Sequence, residues 1–147
     1  MALSLSSPAF ATGTAIPERY AKGGANDQPE LLISGVPQGT KELAVICHDP
    51  DAPMPNGFTH WTLYGIPAGT TQIPQNGEAS FRPGPNDYGD TGWGGPHPPE
   101  GHGPHHYFFW VYALDAEVQG MPDRDSFLRD YAGNIIEQAR MVGLYER

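Results

Sequence analysis

The run "HHYFFWVYALD" at residues 105–115 is the part of the chain that decides its fold. Aromatic and β-branched side chains dominate it, and such residues favour strands. Its apolar character is almost unbroken, which is typical of a strand buried on both faces. We therefore predict a central strand here, with His105 and Tyr107 on one face and His106 and Phe108 on the other, because successive side chains alternate.

Further strands are predicted on the N-terminal side of this run. The segments 30–37, 42–48 and 58–67 are rich in apolar, β-branched or aromatic residues, and Pro67 ends the last of them. A long region from residue 70 to residue 103 is rich in glycine and proline. A loop of this length in a compact domain is usually functional or disordered, and the aromatic residues Tyr88 and Trp93 favour order.

The C-terminal segment carries signals for two helices. Asp123 is a suitable N-cap for a helix over 124–132, and Asn134 with Glu137 forms an N-x-x-E capping pattern for a second helix over 135–142. The chain of 147 residues is long enough for one hydrophobic core. We therefore predict a single, mainly β domain over 1–147 with helices near its end.

Charge and composition narrow the classes of function. The formal net charge is −9 with eight Lys and Arg in all, which disfavours nucleic acid and anionic membranes as partners. The single cysteine, Cys47, excludes an internal disulfide and favours a reducing compartment. The first ten residues lack the pattern of a signal peptide, and no run is long enough to cross a bilayer. We expect a cytoplasmic protein without an integral membrane segment.

Polar side chains collect where the predicted strands begin or end. The stretch "ICHDPDAP" (46–53) places Asp49 and Asp51 directly after a strand, and prolines stiffen the backbone around them. His60 and His105 lie near the starts of two other strands. The residues leave simpler readings open, because Asx-Pro turns are common and His60 can be a core histidine bonded to a carbonyl.

Four motifs in this chain resemble the phosphatidylethanolamine-binding protein family. They are "DPDAP" (49–53), "HW" (60–61), "GGPHPPEGHGPHHY" (94–107) and "YALD" (112–115). The order and spacing are similar to those of its short bacterial branch, which is often labelled Raf-kinase-inhibitor-like. The resemblance implies a mainly β fold: an antiparallel two-sheet Greek-key β-sandwich with a short C-terminal helical segment.

The resemblance also implies a small pocket that takes anions such as phosphate, acetate or a phospholipid head group. Matched position by position, the ligand-binding residues are Asp49, Asp51, Pro53, His60, Pro96, His105 and Tyr107. Carboxylates do not attract phosphate, but they orient imidazole rings and favour the protonated form. A protonated His60 or His105, together with the Tyr107 hydroxyl, can then donate to a phosphate oxygen.

Other polar and aromatic residues have weaker claims on this pocket. His48 stands where the family commonly has an acid, and it is expected to point away from Asp49. His106 is expected to be structural, and His97 and His102 are not assigned to the pocket. Tyr88 and Trp93 are expected to hold the long loop in place.

These observations lead to a functional hypothesis of a non-enzymatic binding module. Its ligand is expected to be phosphate-containing or zwitterionic: a phospholipid head group, a nucleotide or a phosphorylated partner. A regulatory or inhibitory role, a protein partner and a homodimer are left open, and no cofactor is expected. The alternative is a hydrolase that uses the same pocket with a metal or with His/Asp acid–base chemistry.

Overall fold

The computed structural model describes residues 2–147, which form two β-sheets and one α-helix. The helix, α1, spans Arg124–Tyr131. The nine strands of the described residues are β1 (Ser4–Ser6), β2 (Thr14–Ala15), β3 (Leu31–Ser34), β4 (Glu42–Asp49), β5 (Phe58–Pro67), β6 (Gln72–Ile73), β7 (Arg82–Pro83), β8 (His105–Leu114) and β9 (Ile135–Tyr145).

The larger sheet has six strands in the order β2-β9-β8-β4-β5-β7, and the smaller has three in the order β1-β3-β6. All pairs are antiparallel except β2 with β9, which is parallel. A mainly β fold with two sheets and one short helix is thereby confirmed. The sandwich arrangement and the Greek-key connections stay predictions, as does the single domain over 1–147, whose first residue lies outside the described range.

The hydrophobic core lies against both faces of the larger sheet. One cluster joins Ile33 and Ile73 of the smaller sheet to Val45 and Phe109 of the larger one. A second cluster lies on the opposite face, where α1 contributes the fully buried Phe127. The strands that carry the polar residues are therefore packed on at least one side along their whole length, and this packing fixes their ends.

Strand β8 is central, as the sequence predicts, because it pairs with β4 on one side and β9 on the other. Burial on both faces holds only for its second half, 111–114. In the first half, Phe108 and Trp110 are only half-buried on the face that carries α1. The guanidinium of Arg140 lies over both rings, at 5.0 and 5.3 Å, and takes the place of an apolar cover there.

Helix α1 matches the predicted helix at 124–132 to within one residue. The side chain of Asp123 accepts a hydrogen bond from the backbone N–H of Ser126 at 2.8 Å, as expected of an N-cap. The capping signal was sufficient here because the helix also buries Phe127 against the sheet.

The second predicted helix, at 135–142, is wrong, because these residues form β9. The Asn134 side chain donates to Asp115 instead of capping a helix, and Glu137 accepts the backbone N–H of Leu3. The exposed edge of β8 offers an antiparallel partner along nearly its whole length. Pairing with this partner outweighs the local helix signal, so the chain follows its short helical segment with a long strand.

Candidate functional site

A cavity of about 260 Å³ opens at one end of the larger sheet. Its position follows from strand direction: β4 ends at Asp49, whereas β5 and β8 begin at Phe58 and His105. Because β4 is antiparallel to both neighbours, its last residue lies beside their first residues. Side chains distant in sequence therefore meet at this end of the sheet.

The polar and aromatic side chains of the cavity come from all three strands and from the long loop. They are Asp49, His60, Tyr88, His97, His105 and Tyr107. No lysine or arginine is among the described residues that line it. An anion in this cavity would therefore be held by hydrogen bonds and not by a fixed positive charge.

The remaining lining is apolar; Phe58 begins β5, and the other residues lie on the loops after β4 and before β8. It consists of Ala52, Pro53, Met54, Phe58, Pro98 and Pro99. Met54 is half-exposed, with 48% of its surface accessible. A ligand in this cavity would meet polar groups at the strand ends and apolar groups nearer the surface.

Five of the seven sequence-predicted site residues line the cavity: Asp49, Pro53, His60, His105 and Tyr107. Asp51 and Pro96 do not line it. The carboxylate of Asp51 binds His106, and the carbonyl of Pro96 accepts the backbone N–H of Lys22. Both residues hold loop backbone in place in this structure, and the ligand-binding role of all seven stays a prediction.

Asp49 and His105 form a buried pair at the floor of the cavity. His105 Nδ1 lies 2.7 Å from Asp49 Oδ2, and the backbone N–H of Asp51 donates to Asp49 Oδ1 at 2.8 Å. Burial raises the pKa of Asp49, and the hydrogen bonds from His105 and Asp51 act against that rise. The carboxylate thus fixes the orientation of the imidazole ring, as the sequence predicts.

His60 is bound to the backbone and is neutral at pH 7. Its Nδ1 lies 2.7 Å from the carbonyl oxygen of Gly94, so Nδ1 carries the proton and donates. Burial lowers the pKa of His60 to about 4, although the carbonyls of Gly94 and Gly95 act against this shift. The predicted charged donor is therefore not found at His60, and the simpler reading of a carbonyl-bonded histidine holds alongside its place in the cavity.

The second nitrogen of His60 is open to the cavity. No hydrogen bond to protein involves Nε2 in the described part of the chain, and every fully buried side-chain nitrogen or oxygen there has a partner. Nε2 must therefore contact accessible space. In the neutral ring it is a hydrogen-bond acceptor.

The hydroxyl of Tyr107 is open in the same way. Tyr107 is buried, yet its Oη makes no hydrogen bond to any described residue, so it also faces the cavity. Burial, followed by the charge of Asp49, raises the pKa of Tyr107 well above its ordinary value, and the hydroxyl keeps its proton. By contrast, the Tyr88 hydroxyl is engaged, since it donates to the carbonyl of Gly95 at 2.8 Å.

An aromatic cluster holds these groups in place. The ring centroid of His60 lies 4.8 Å from Phe58, 5.1 Å from Tyr107 and 5.6 Å from Tyr88. Contacts of this kind add to the energy of burial and restrict ring rotation. The open nitrogen of His60 and the open hydroxyl of Tyr107 are thereby fixed before any ligand arrives.

The other histidines lie beside the site. His48 does not line the cavity, as predicted; its Nδ1 lies 3.0 Å from the Thr59 hydroxyl oxygen, and burial lowers its pKa to about 4. His106 points away from His105, as predicted, and binds Asp51, which was not predicted. The exposed His102 approaches the cavity indirectly, because its Nδ1 lies 2.6 Å from Nε2 of His105.

Sequence reasoning missed about half of the lining. Phe58 shares a strand face with His60, so alternation alone could have added it. Met54, Tyr88, His97 and the prolines at 98–99 come from loops, and no local pattern predicts where a loop will lie. Tyr88 does hold the loop, as expected, but it also lines the cavity.

Residues 2–147 contain no candidate metal cluster and no membrane-spanning helix. No three or more His, Cys, Asp or Glu side chains are grouped so as to hold a metal ion. No helix in this range is long and apolar enough to span a membrane. Neither the metal-dependent nor the acid–base hydrolase alternative is favoured by any contact in the site.

These features define a mainly β domain with a half-open cavity at the end of its larger sheet. Residues 6–146 match the family model described as "Phosphatidylethanolamine-binding protein". The chain is 42% identical to a UPF0098 protein of Aquifex aeolicus over 96% of this chain and 86% of the relative.

Solved structures agree in fold over the whole chain. The crystal structure of Escherichia coli YbcL, described as a member of the mammalian PEBP family, has a TM-score of 0.92 and 34% identity over 100% of this chain and 99% of that one. A putative PEBP homologue from Chlamydia trachomatis has the same TM-score and 32% identity over 99% and 98%. The chain therefore belongs to the phosphatidylethanolamine-binding protein family, whose members are ligand-binding proteins, and the bacterial branch is confirmed.

Proposed function

We propose that this protein is a non-enzymatic binding module whose cavity takes a small phosphate-containing or zwitterionic ligand. The observation that carries the proposal is a pair of open polar atoms, His60 Nε2 and Tyr107 Oη, beside the buried Asp49–His105 pair. A rigid cavity with a few convergent polar groups is the usual form of a small-molecule site. All seven predicted residues keep their proposed role in ligand binding. Asp51 and Pro96 contribute to it indirectly, because they shape the loops around the cavity.

The ligand should bring a proton of its own. His60 Nε2 is an acceptor at pH 7, and the Tyr107 hydroxyl is an open donor. A ligand that complements both atoms must therefore carry one hydrogen-bond donor and one acceptor. A phosphate monoanion has both an O–H and free oxygens. An ethanolamine-type zwitterion has N–H groups as well, and these can also approach the carboxylate of Asp49. A proton-free phosphodiester offers acceptors alone.

The size and lining of the cavity limit the rest of the ligand. A volume of about 260 Å³ suits a head group or a small monoester and not a complete two-chain lipid. Its apolar rim can cover the first carbons of an attached chain or the edge of a base. A phospholipid head group, a nucleotide and a phosphorylated partner share this chemistry. A protein partner, a homodimer and a cytoplasmic location remain predictions from the sequence.

Calorimetric titration at pH 6 tests the proposal. The ligands are phosphoethanolamine, a nucleoside monophosphate and, as a proton-free control, dimethyl phosphate. We expect saturable binding of at least one of the first two and much weaker binding of dimethyl phosphate.

The tyrosine variants locate the binding. Tyr107→Phe removes an open hydroxyl and should weaken binding about fivefold, the value of one net hydrogen bond of about 1 kcal/mol. Tyr88→Phe is the matched control, because its hydroxyl is already bound to Gly95 and should leave affinity nearly unchanged. Absence of saturable binding, or equal effects of the two variants, would contradict the proposal.

A further inference from the structure

Both ring nitrogens of His105 are engaged inside the protein. Nδ1 faces Asp49 Oδ2 at 2.7 Å, and Nε2 faces Nδ1 of His102 at 2.6 Å. His105 nevertheless lines the cavity. A ligand that is to bond with this imidazole must therefore replace one of the two partners.

The two partners differ in how firmly they are held. Asp49 is buried at the end of β4 and accepts a second hydrogen bond from the backbone of Asp51. His102 is exposed, lies in a loop, and makes its one side-chain hydrogen bond among the described residues to His105. His102 is thus the partner that can be displaced.

His102 lies between two glycines in an open part of the loop. Gly101 and Gly103 on either side have φ of +72° and +85°, and a Cβ at either position would meet nothing within 4 Å. Glycine crosses between backbone regions at low cost, and no neighbouring atoms obstruct it here. The exposed imidazole of His102 can turn into solvent by rotation about its own side-chain bonds, while its backbone N–H stays bonded to the carbonyl of Pro99 at 3.2 Å.

The cavity wall close to His102 is anchored separately. Arg147 Nε donates to the carbonyl of Pro98 at 2.6 Å, and its own carbonyl accepts the N–H of Gly101 at 3.1 Å. The prolines at 98–99 that line the cavity are therefore tied to the end of the larger sheet. A movement of His102 would leave this wall in place.

We propose that His102 is an internal competitor of the ligand at His105. Its imidazole satisfies Nε2 of His105 when no ligand oxygen does, and a phosphate oxygen takes its place on binding. Because Nδ1 of His105 donates to Asp49, Nε2 of the neutral ring accepts a hydrogen bond, and the ligand oxygen that replaces the His102 nitrogen carries a proton. The inference rests on the proposed function, because it assigns a third contact to the same ligand. It makes His102 a positioning residue that sets affinity without belonging to the cavity lining.

The test compares His102→Ala with His106→Ala in titrations with phosphoethanolamine. His106 is the matched control: it is also exposed, lies at the same end of β8, and points to the opposite face, where it binds Asp51. Removal of the competitor should tighten binding about two- to tenfold, the range spanned by one net hydrogen bond. His106→Ala should stay within a factor of two of wild type. In the wild-type protein, the imidazole NMR signals of His102 should shift at saturation toward those of a free, exposed histidine.

The outcomes separate this inference from the proposed function. If the wild-type protein binds phosphoethanolamine and His102→Ala binds it equally well or more weakly, the competitor role is overturned. The binding site itself is then still supported. An unmoved His102 signal at saturation would also overturn it. If neither protein binds phosphoethanolamine or the nucleoside monophosphate, the proposed function fails and this inference falls with it.

Discussion

Two acid–histidine pairs lie side by side in this protein and differ mainly in their surroundings. Asp49 with His105 and Asp51 with His106 both have an Nδ1-to-carboxylate distance of 2.7 Å. The side chains of the first pair are 3% exposed, whereas those of the second are 50% and 41% exposed for the histidine and the aspartate. The two aspartates are two residues apart in sequence, whereas the two histidines are adjacent. Because successive side chains of a strand alternate, one histidine points inward and the other outward.

The difference teaches that a contact distance alone does not define a role. In the buried pair, burial raises the pKa of Asp49 despite its hydrogen bonds. In the exposed pair, burial is the largest single influence and acts to raise the pKa of Asp51, but the hydrogen bonds and the charge of His106 together outweigh it and lower that pKa. The buried pair resists separation, because a partner that left the contact could not replace its hydrogen bond with one to water. Both residues of this pair also line the cavity. The exposed pair can exchange its contact for water.

The largest expected effect is on stability. His105→Ala leaves the carboxylate of Asp49 buried without its partner, and breaking a buried pair in this way costs about 3–5 kcal/mol. His106→Ala removes an exposed partner and should cost less than about 1 kcal/mol. Urea unfolding of both variants measures the two free energies. Equal losses would mean that burial does not distinguish the pairs.

Acid should destabilise the protein through the buried imidazoles. The folded pKa of His60 is about 4 and the unfolded value is 6.5, so the unfolded chain binds a proton first as pH falls. The stability from the neutral ring is fully present above pH 6.5 and is lost between pH 6.5 and 4, amounting to about 3 kcal/mol. The lowered pKa of His48 acts in the same direction, and the raised pKa of Asp49 acts against both.

The measurement is the urea unfolding free energy from pH 7 to pH 4. His60→Gln should reduce the slope of the profile, because it removes one of the two buried imidazoles whose pKa is lowered to about 4. His106→Ala, from the exposed pair, should keep the wild-type slope. A wild-type free energy that stays constant over this range would show that His60 is not held neutral by burial.

The smallest effect is expected at the exposed carboxylate. Asp51→Asn weakens the contact with His106 but leaves an oxygen for its backbone N–H, so the loss should be within about 0.2–1 kcal/mol at low salt. The loss should shrink further in 1 M salt, where exposed charges are screened. Unfolding in low and high salt measures it. A loss of unfolding free energy as large as that of His105→Ala would show that the Asp51–His106 contact stabilises the protein as strongly as the buried pair does.

Much of the fold could be predicted because the decisive signals are local. The strand at 58–67 has the observed bounds of β5, since aromatic and β-branched residues run up to Pro67. Helix α1 follows from its cap at Asp123. The terminal strand β9 could not be predicted in this way, because its partner β8 is reached only after the helix has turned the chain back. A local helix signal at Asn134 and Glu137 was outweighed by that distant edge.

The candidate site shows the same division. Asp49, His60 and His105 lie at strand ends, and alternation with the family motifs places them together. Tyr88 lies in the long loop, and its position depends on the Gly95 carbonyl and on the Lys22 ammonium, 4.3 Å from the centre of its ring. Contacts between residues so far apart leave no period or spacing in the sequence. The family motifs therefore predicted the strand-end residues at the floor of the cavity, but they did not predict most of the loop residues that line the rest of it.

The long pairing of β8 with β9 also determines how the protein can be made. While a ribosome synthesises the chain, β8 emerges before residues 135–145, so one edge of this aromatic-rich strand has no partner until those residues follow. Unpaired apolar edges of nascent chains are sites of aggregation. We therefore expect the pairing of β9 with β8 to be a late step of folding. Cellular yield should depend on how quickly β9 reaches β8.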